Sequence, residues 1–234
     1  MIKYVTVLPD FKVDKISIAK ILSLYTAFKG TSLAPDFWVQ ETEGDFTAAL
    51  CLYGSEMTVY CENADTDEIR DFIKVTAPKS VFTEKENALF KDFETKSVFL
   101  KEFPENKTFL ENSVPLKELY DKLSLGLDGD VYLPSFEDFA PDISHRLRHG
   151  SGVALAKEYG AALCFTFDGG GIISGISVDK SFRRKGMGSK ILNEISCLVG
   201  GKIFACTAKE NQEFYIKNGF SHIGEAAIIE MERV

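Results

Sequence analysis

Apolar positions along this chain change period several times, and each change predicts an element. Residues 1–7, Met-Ile-Lys-Tyr-Val-Thr-Val, read as an opening strand. Residues 46–52 and 57–61 predict two strands joined at Tyr53-Gly54-Ser55. Asp65 and Glu68 have the spacing of a capping box ahead of Ile69, Phe72 and Ile73, which share one helical face. Residues 80–83 then predict a strand and residues 86–93 a helix.

The second half has clearer periods. After Val114-Pro115, the residues Leu116, Leu119, Tyr120 and Leu123 predict a helix with Gly126 near its end. A second helix opens at Ser135 and runs to about Gly150, with Pro141 interrupting or restarting it. Residues 153–158 and 161–167 predict a hairpin around Tyr159-Gly160. The turn Asp168-Gly169-Gly170-Gly171 leads into an apolar strand over 172–178. Met187, Ile191, Ile195 and Leu198 form one apolar stripe of a helix. Residues 202–206 predict a strand, 210–218 a short helix stopped by Gly219, and 220–224 and 227–231 two closing strands. The first half follows a β-β-α-β-α order that the second half repeats. The break falls near Pro104-Glu105-Asn106-Lys107, which predicts domains over 1–106 and 107–234.

Composition narrows the function classes. The 234 residues are 45% hydrophobic, enough for a sizeable core. Net charge is −8 with no basic stripe, which argues against nucleic acid as a partner. No apolar run reaches bilayer length and no signal peptide opens the chain, so no membrane partner and a cytoplasmic location are expected. Five cysteines lie within apolar segments without a Cys-x-x-Cys pair, which predicts buried free thiols. His145 and His149 share a helical face, but Arg146 stands where a zinc-binding His-Glu-x-x-His needs its glutamate. No metal site is expected. His145–His149 reads as a basic helix end stopped by Gly150.

The candidate chemistry lies between the strand at 172–178 and the helix at 187. Arg183-Arg184-Lys185-Gly186-Met187-Gly188-Ser189 places a basic, glycine-bearing turn at a helix start. First-turn N–H groups lack intrahelical acceptors, and the macrodipole adds partial positive charge there. Glycines at 186 and 188 remove the Cβ atoms that would keep a diphosphate from these amides. Basic residues at a helix start oppose the dipole unless an anion sits there. A dinucleotide fingerprint needs a third glycine at 191, which is Ile191, and a P-loop needs lysine at 176, which is Ile176.

At these residues the chain resembles the GNAT superfamily of acyl-CoA-dependent N-acetyltransferases, whose cofactor motif is Arg/Gln-x-x-Gly-x-Gly/Ala. A second signature of that family is matched by Phe214-Tyr215-Ile216-Lys217-Asn218-Gly219-Phe220. Between them, residues 202–206 look like the strand that splays from its neighbour to admit the pantetheine arm, which puts Cys206 at the end of that strand. The resemblance is strong over about residues 150–230. It implies an α+β sandwich with a mixed central sheet flanked by helices. The first half resembles a degenerate copy in tandem, because residues 61–66 offer no glycine and two acids where the second half has its basic turn.

The resemblance also assigns roles. Acetyl-CoA, as cosubstrate, is expected against Ile176, Ser177, Val178, Arg183, Arg184, Lys185, Gly186, Met187, Gly188, Ser189, Asn211 and Tyr215. A backbone N–H around 176–178 polarises the thioester carbonyl. Tyr215 occupies the position of the tyrosine that protonates the departing thiolate, and a tyrosine hydroxyl, with a pKa of about 10, carries its proton at neutral pH. The family's asparagine seven residues earlier is Ala208 here, with Asn211 the nearest substitute. The general base has no motif; Glu137, Glu158 and Asp168 are the carboxylates considered. The expected function is acetyl transfer from acetyl-CoA to a primary amine, of a small molecule, by a monomer or homodimer. The alternative is a non-catalytic acyl-CoA-binding regulatory or interaction module.

Overall fold

The computed structural model describes residues 1–87, 89–91, 93–105, 114–125 and 133–231. In chain order its elements are β1 (Ile2–Val5), α1 (Ile16–Phe28), β2 (Asp36–Thr42), β3 (Asp45–Tyr53), β4 (Glu56–Cys61), α2 (Thr66–Thr76), β5 (Ser80–Glu84) and β6 (Glu94–Phe103). There follow α3 (Leu116–Ser124), α4 (Phe136–Arg148), β7 (Gly152–Lys157), β8 (Gly160–Phe167), β9 (Gly170–Val178), α5 (Met187–Val199), β10 (Gly201–Thr207), α6 (Gln212–Lys217) and β11 (Ser221–Glu230). They group into two units. One comprises Met1–Phe99, Cys206–Gln212 and His222–Val234; the other comprises Leu100–Ala205 and Glu213–Ser221.

In the first unit β1 through β4 pair antiparallel in sequence, and β5 joins β4 in parallel. β11 then pairs antiparallel with β5, from Ala226 opposite Glu84 to Glu230 opposite Ser80. Successive side chains of β3 point to opposite faces, as the strand period requires. Ala49 and Cys51 pack with Ile18, Ile21, Leu24 and Phe28 of α1. Ala48 and Leu50 pack with Ile69 and Ile73 of α2.

In the second unit β7, β8 and β9 are antiparallel and β10 joins β9 in parallel. Leu119 and Leu123 of α3 and Phe139 and Ile143 of α4 cluster with Ala154, Ala161 and Leu163 of the sheet. α5 packs on β7, β8 and β9 through buried Ile191, Leu192 and Ile195. The same succession therefore occurs twice: three antiparallel strands, a helix, then a parallel strand, as β2-β3-β4-α2-β5 and as β7-β8-β9-α5-β10. Each unit is a mixed sheet flanked by helices. Among the described residues no helix is long and apolar enough to cross a membrane.

Several local expectations are corrected. The helix expected over 86–93 is a single 3₁₀ turn, Lys85–Asn87. Adjacent Leu89 and Phe90 are both buried, and Arg70 Nε takes the Leu89 carbonyl (2.9 Å), so tertiary contacts override the local pattern. Pro141 lies inside a continuous α4; it removes one main-chain bond without ending the helix. The two closing strands are one, β11, held across Gly224 by the pairing with β5 and the His222–Phe99 ring contact. Arg146 is fully buried instead of capping a solvated basic end, with its Nε 3.0 Å from Asp142 and its guanidinium 4.0 Å over the Phe165 ring. Cys51, Cys61 and Cys164 are buried and Cys206 is half-buried, while Cys197 is exposed on the outer side of α5. Gly126 lies outside the described residues.

Candidate active site

The turn from β9 into α5 is braced from within. Asp179 accepts from the Ser181 N–H (2.8 Å) and hydroxyl (2.6 Å), and these bonds hold its carboxyl below the usual range. Arg183 Nε donates to the Val178 carbonyl (3.0 Å) and Lys185 Nζ to the Ser181 carbonyl (2.9 Å). Two of the three predicted cations thus draw the loop together as well as charging it. Arg184 is exposed and holds a left-handed backbone (φ 61°), an arrangement that costs a side-chain-bearing residue about 1–2 kcal/mol.

Gly186 is the N-cap of α5, also left-handed (φ 79°), and a Cβ there would meet nothing within 4 Å. No side chain caps the helix, and its first turn holds no acid. At this end the Lys190 N–H donates to the Gly186 carbonyl (3.1 Å). The N–H groups of Met187, Gly188 and Ser189 therefore sit in a turn without intrahelical acceptors, beside open space. Such a turn suits an anion with several oxygens.

Gly188 behaves differently from the expectation. A Cβ on it would lie 3.1 Å from the Phe214 ring and 3.6 Å from Val178, so its missing side chain lets α6 approach α5. That approach brings the next residue, Tyr215, to the same end of the unit. Tyr215 is buried, edge-on to Phe214 (5.2 Å between ring centroids) and to Phe220 (5.6 Å).

β9 and β10 pair over only part of their length. Their parallel pairing runs from Gly170 opposite Lys202 to Ile173 opposite Ala205. β9 continues for five residues, Ser174–Val178, beyond its last pair with β10. A register shift between Leu163 and Cys164 of β8 leaves Ser174 as the extra residue of a bulge. Ile176, Ser177 and Val178, the expected oxyanion donors, lie in this freed segment. The Ser177 hydroxyl donates to the Lys122 carbonyl of α3.

Ile176–Val178, Arg183–Ser189 and Tyr215 thus share one unit. Asn211 ends an exposed 3₁₀ turn, Lys209–Asn211, grouped with the other unit. Burial pushes the Cys206 thiol up to about 11, which keeps it protonated at neutral pH. Glu137, Glu158 and Asp168 are all exposed.

Sequence reasoning missed a cavity of about 260 Å³ formed by α3, α4, β8 and β9. Asp138 and Asp142 line it, as do Ser174, Gly175 and Ile176 of the freed β9 segment. The available signal was the pair of acids at i and i+4 beside the apolar stripe of Phe139 and Ile143.

The first unit lacks the open turn. Asp65 caps α2 with its own carboxylate, accepting from the N–H groups of Asp67 and Glu68 (both 3.1 Å). The reciprocal half of the capping box is absent. The Asp65 N–H donates to Gln40 (2.8 Å), and Glu68 accepts from Gln40 Nε2 and the Ile2 N–H instead. An acidic side chain occupies the place that α5 leaves open.

Comparison with known proteins agrees with this geometry. The family model described as an acetyltransferase (GNAT) domain matches residues 149–222. No curated protein matches the chain. Among solved structures, the fold is similar to an acetyltransferase from the GNAT family of Colwellia psychrerythraea, with a TM-score of 0.51, 11% identity, and coverage of 97% of this chain and 98% of that one. It is also similar to a GCN5-related N-acetyltransferase from Kribbella flavida, with a TM-score of 0.55, 11% identity and coverage of 92% and 93%. A GCN5-related N-acetyltransferase from Sphaerobacter thermophilus gives a TM-score of 0.50 at 12% identity, covering 91% and 90%. At these identities the structures speak for the fold, and the family model speaks for the sequence. Residues 149–222 match the GNAT acetyltransferase family model, and the chain as a whole has the GNAT fold.

Proposed function

We propose that this chain transfers an acetyl group from acetyl-CoA to the primary amine of a small molecule. The observation that carries the reading is the uncapped first turn of α5, flanked by Arg183, Arg184 and Lys185 and open at Gly186. The N–H groups of residues 187–189 would hold the diphosphate of acetyl-CoA, and the thioester arm would enter where β9 outruns β10. A backbone N–H of the freed 174–178 segment would polarise the carbonyl.

In the reaction the neutral amine nitrogen attacks the thioester carbon, the C–S bond breaks, and its electron pair leaves on sulfur. Tyr215 gives that sulfur a proton, and the attacking nitrogen loses one to solvent or a base. The first unit, with α2 capped by Asp65, is a degenerate copy that holds no cofactor. Domains over 1–106 and 107–234 remain the proposed evolutionary repeat, with β11 contributed to the first unit.

A second reading, acyl-CoA binding without turnover, is favoured by one observation: Glu137, Glu158 and Asp168 are exposed and none lines the cavity. Release of CoA thiol from acetyl-CoA with a panel of primary amines separates the two. Amine-dependent thiol release is the expected result. Saturable binding with no release across the panel would leave the binding module standing.

A further inference from the structure

We infer that the cavity beside β9 is an acceptor pocket for a hydrophobic primary monoamine, with an aryl or short alkyl body buried and its ammonium held by Asp138. The inference rests on the acyl-transfer reading and gives that reading its substrate class.

Size sets the first limit. A dry cavity of about 150 Å³ holds a benzene ring. The roughly 260 Å³ here accommodates a ring with a two-carbon arm. Lining chemistry sets the second. Leu123, Phe139, Ile143, Leu163, Phe165 and Ile176 supply apolar walls. Sugar hydroxyls or a peptide backbone would lose hydrogen bonds to water against such walls without replacement.

Charge sets the third. Two carboxylates line the cavity, but Asp142 is already 3.0 Å from the buried Arg146. Asp138 is held by the neutral Ser135 hydroxyl (2.7 Å), and no cation is placed against it among the described residues. The local sum of Asp138, Asp142 and Arg146 is therefore one negative charge. A monocation balances it, whereas a polyamine would bring further charges toward apolar walls.

Position sets the fourth. Ser174, Gly175 and Ile176 line the cavity and belong to the β9 segment beyond its last β10 pair. An amine anchored here faces the strand assigned to the thioester carbonyl. Helix capping alone accounts for the Ser135–Asp138 contact, but it does not account for a cavity of this size and composition beside the freed strand.

The test is an NMR titration of phenethylamine into the full chain, alone and with saturating CoA, with spermidine and 2-phenylethanol as competitors. Two variants accompany it. Asp138→Asn removes the charge and keeps the shape. Gly175→Val fills the cavity, because a Cβ at 175 sits at ordinary contact with Leu123 (3.4 Å). Thermal melting of each variant checks that it is folded.

Phenethylamine is expected to bind, about tenfold or more weaker in Asp138→Asn, and not at all in Gly175→Val. Neither competitor should displace it. Absence of phenethylamine binding to the wild type even with CoA would overturn the inference, as would unchanged affinity in Asp138→Asn or displacement by spermidine. If the amine obeys this pattern while acetyl-CoA fails to bind, the pocket stands and the acyl-transfer reading falls.

Discussion

Gly186 and Gly188 stand two residues apart in one motif and have different physical duties. Gly186 takes a left-handed backbone beside open space, so its lack of a Cβ leaves room for a ligand. Gly188 faces Phe214, so its lack of a Cβ makes room for a neighbouring helix. The motif was legible in the sequence, but the division of labour was not, because the partner of Gly188 lies in a helix 26 residues away. Asp138 was hidden for a similar reason: its neighbours across the cavity come from α3, β8 and β9. Tyr215 carries a sharper prediction. Tyr215→Phe keeps the ring packing against Phe214 and Phe220 and removes one hydroxyl. If that hydroxyl protonates the thiolate, kcat should fall by about 100- to 10,000-fold. Acetyl-CoA affinity should hardly change, since the proton is needed only as charge develops on sulfur. Steady-state kinetics with any accepted amine, beside a binding isotherm, reads both; an unchanged kcat moves the acid role elsewhere.

Three helix starts, those of α1, α2 and α5, show how one element type acquires opposite properties. α5 is left open, α2 is closed by its own Asp65, and α1 is closed from outside by Glu84 of β5. Glu84 accepts from the Ser17 N–H (2.9 Å) and hydroxyl (2.6 Å), and it is buried. Burial raises its pKa above 4.5, although the two bonds from Ser17 work the other way. A carboxyl with a raised folded pKa binds its proton more tightly in the folded state. Stability is therefore lost as pH climbs from about the unfolded value through the raised one. Glu84→Gln removes that loss, so its stability relative to wild type should increase as pH rises from 4 toward 7. Urea unfolding across that range checks it, and a constant difference would mean that Glu84 is not raised. Element legibility followed exposure. α2, α3 and α5 have one apolar stripe and were readable from spacing. α1 buries both its apolar positions and its serines, Ser17 and Ser23, so it has no polar face to mark its period. The helix expected over 86–93 failed in the opposite sense, a plausible local period overruled by Arg70, which donates to the Leu89 carbonyl, and by Asn87, whose side chain donates to the Cys61 carbonyl.

At the scale of the whole molecule, a repeat was legible only in part: the β-β-α-β run over residues 46–83 was read, but β2 was missed and the expected last helix is a 3₁₀ turn. The exchange of chain between units was not legible, since pairing partners are invisible to local pattern. β11, from the far end of the sequence, completes the sheet of the first unit through five residue pairs with β5. A fragment ending at residue 106 lacks that strand and exposes the β5 edge, so it should stay unfolded or aggregate by circular dichroism and size-exclusion chromatography. A monomeric, cooperatively folded fragment would show that β11 is dispensable. The central claim concerns the open turn of α5, and Ser189 tests it with a useful sign. An acid at this third helical position favours the dipole, so Ser189→Asp should leave the free protein as stable as wild type or slightly more so. The same charge should repel a diphosphate from the first-turn amides. Calorimetric titration of acetyl-CoA is the deciding measurement. One site per chain in the wild type, lost in a folded Ser189→Asp protein, is the predicted result. Two sites, or a single site whose affinity is untouched by Ser189→Asp, would contradict it.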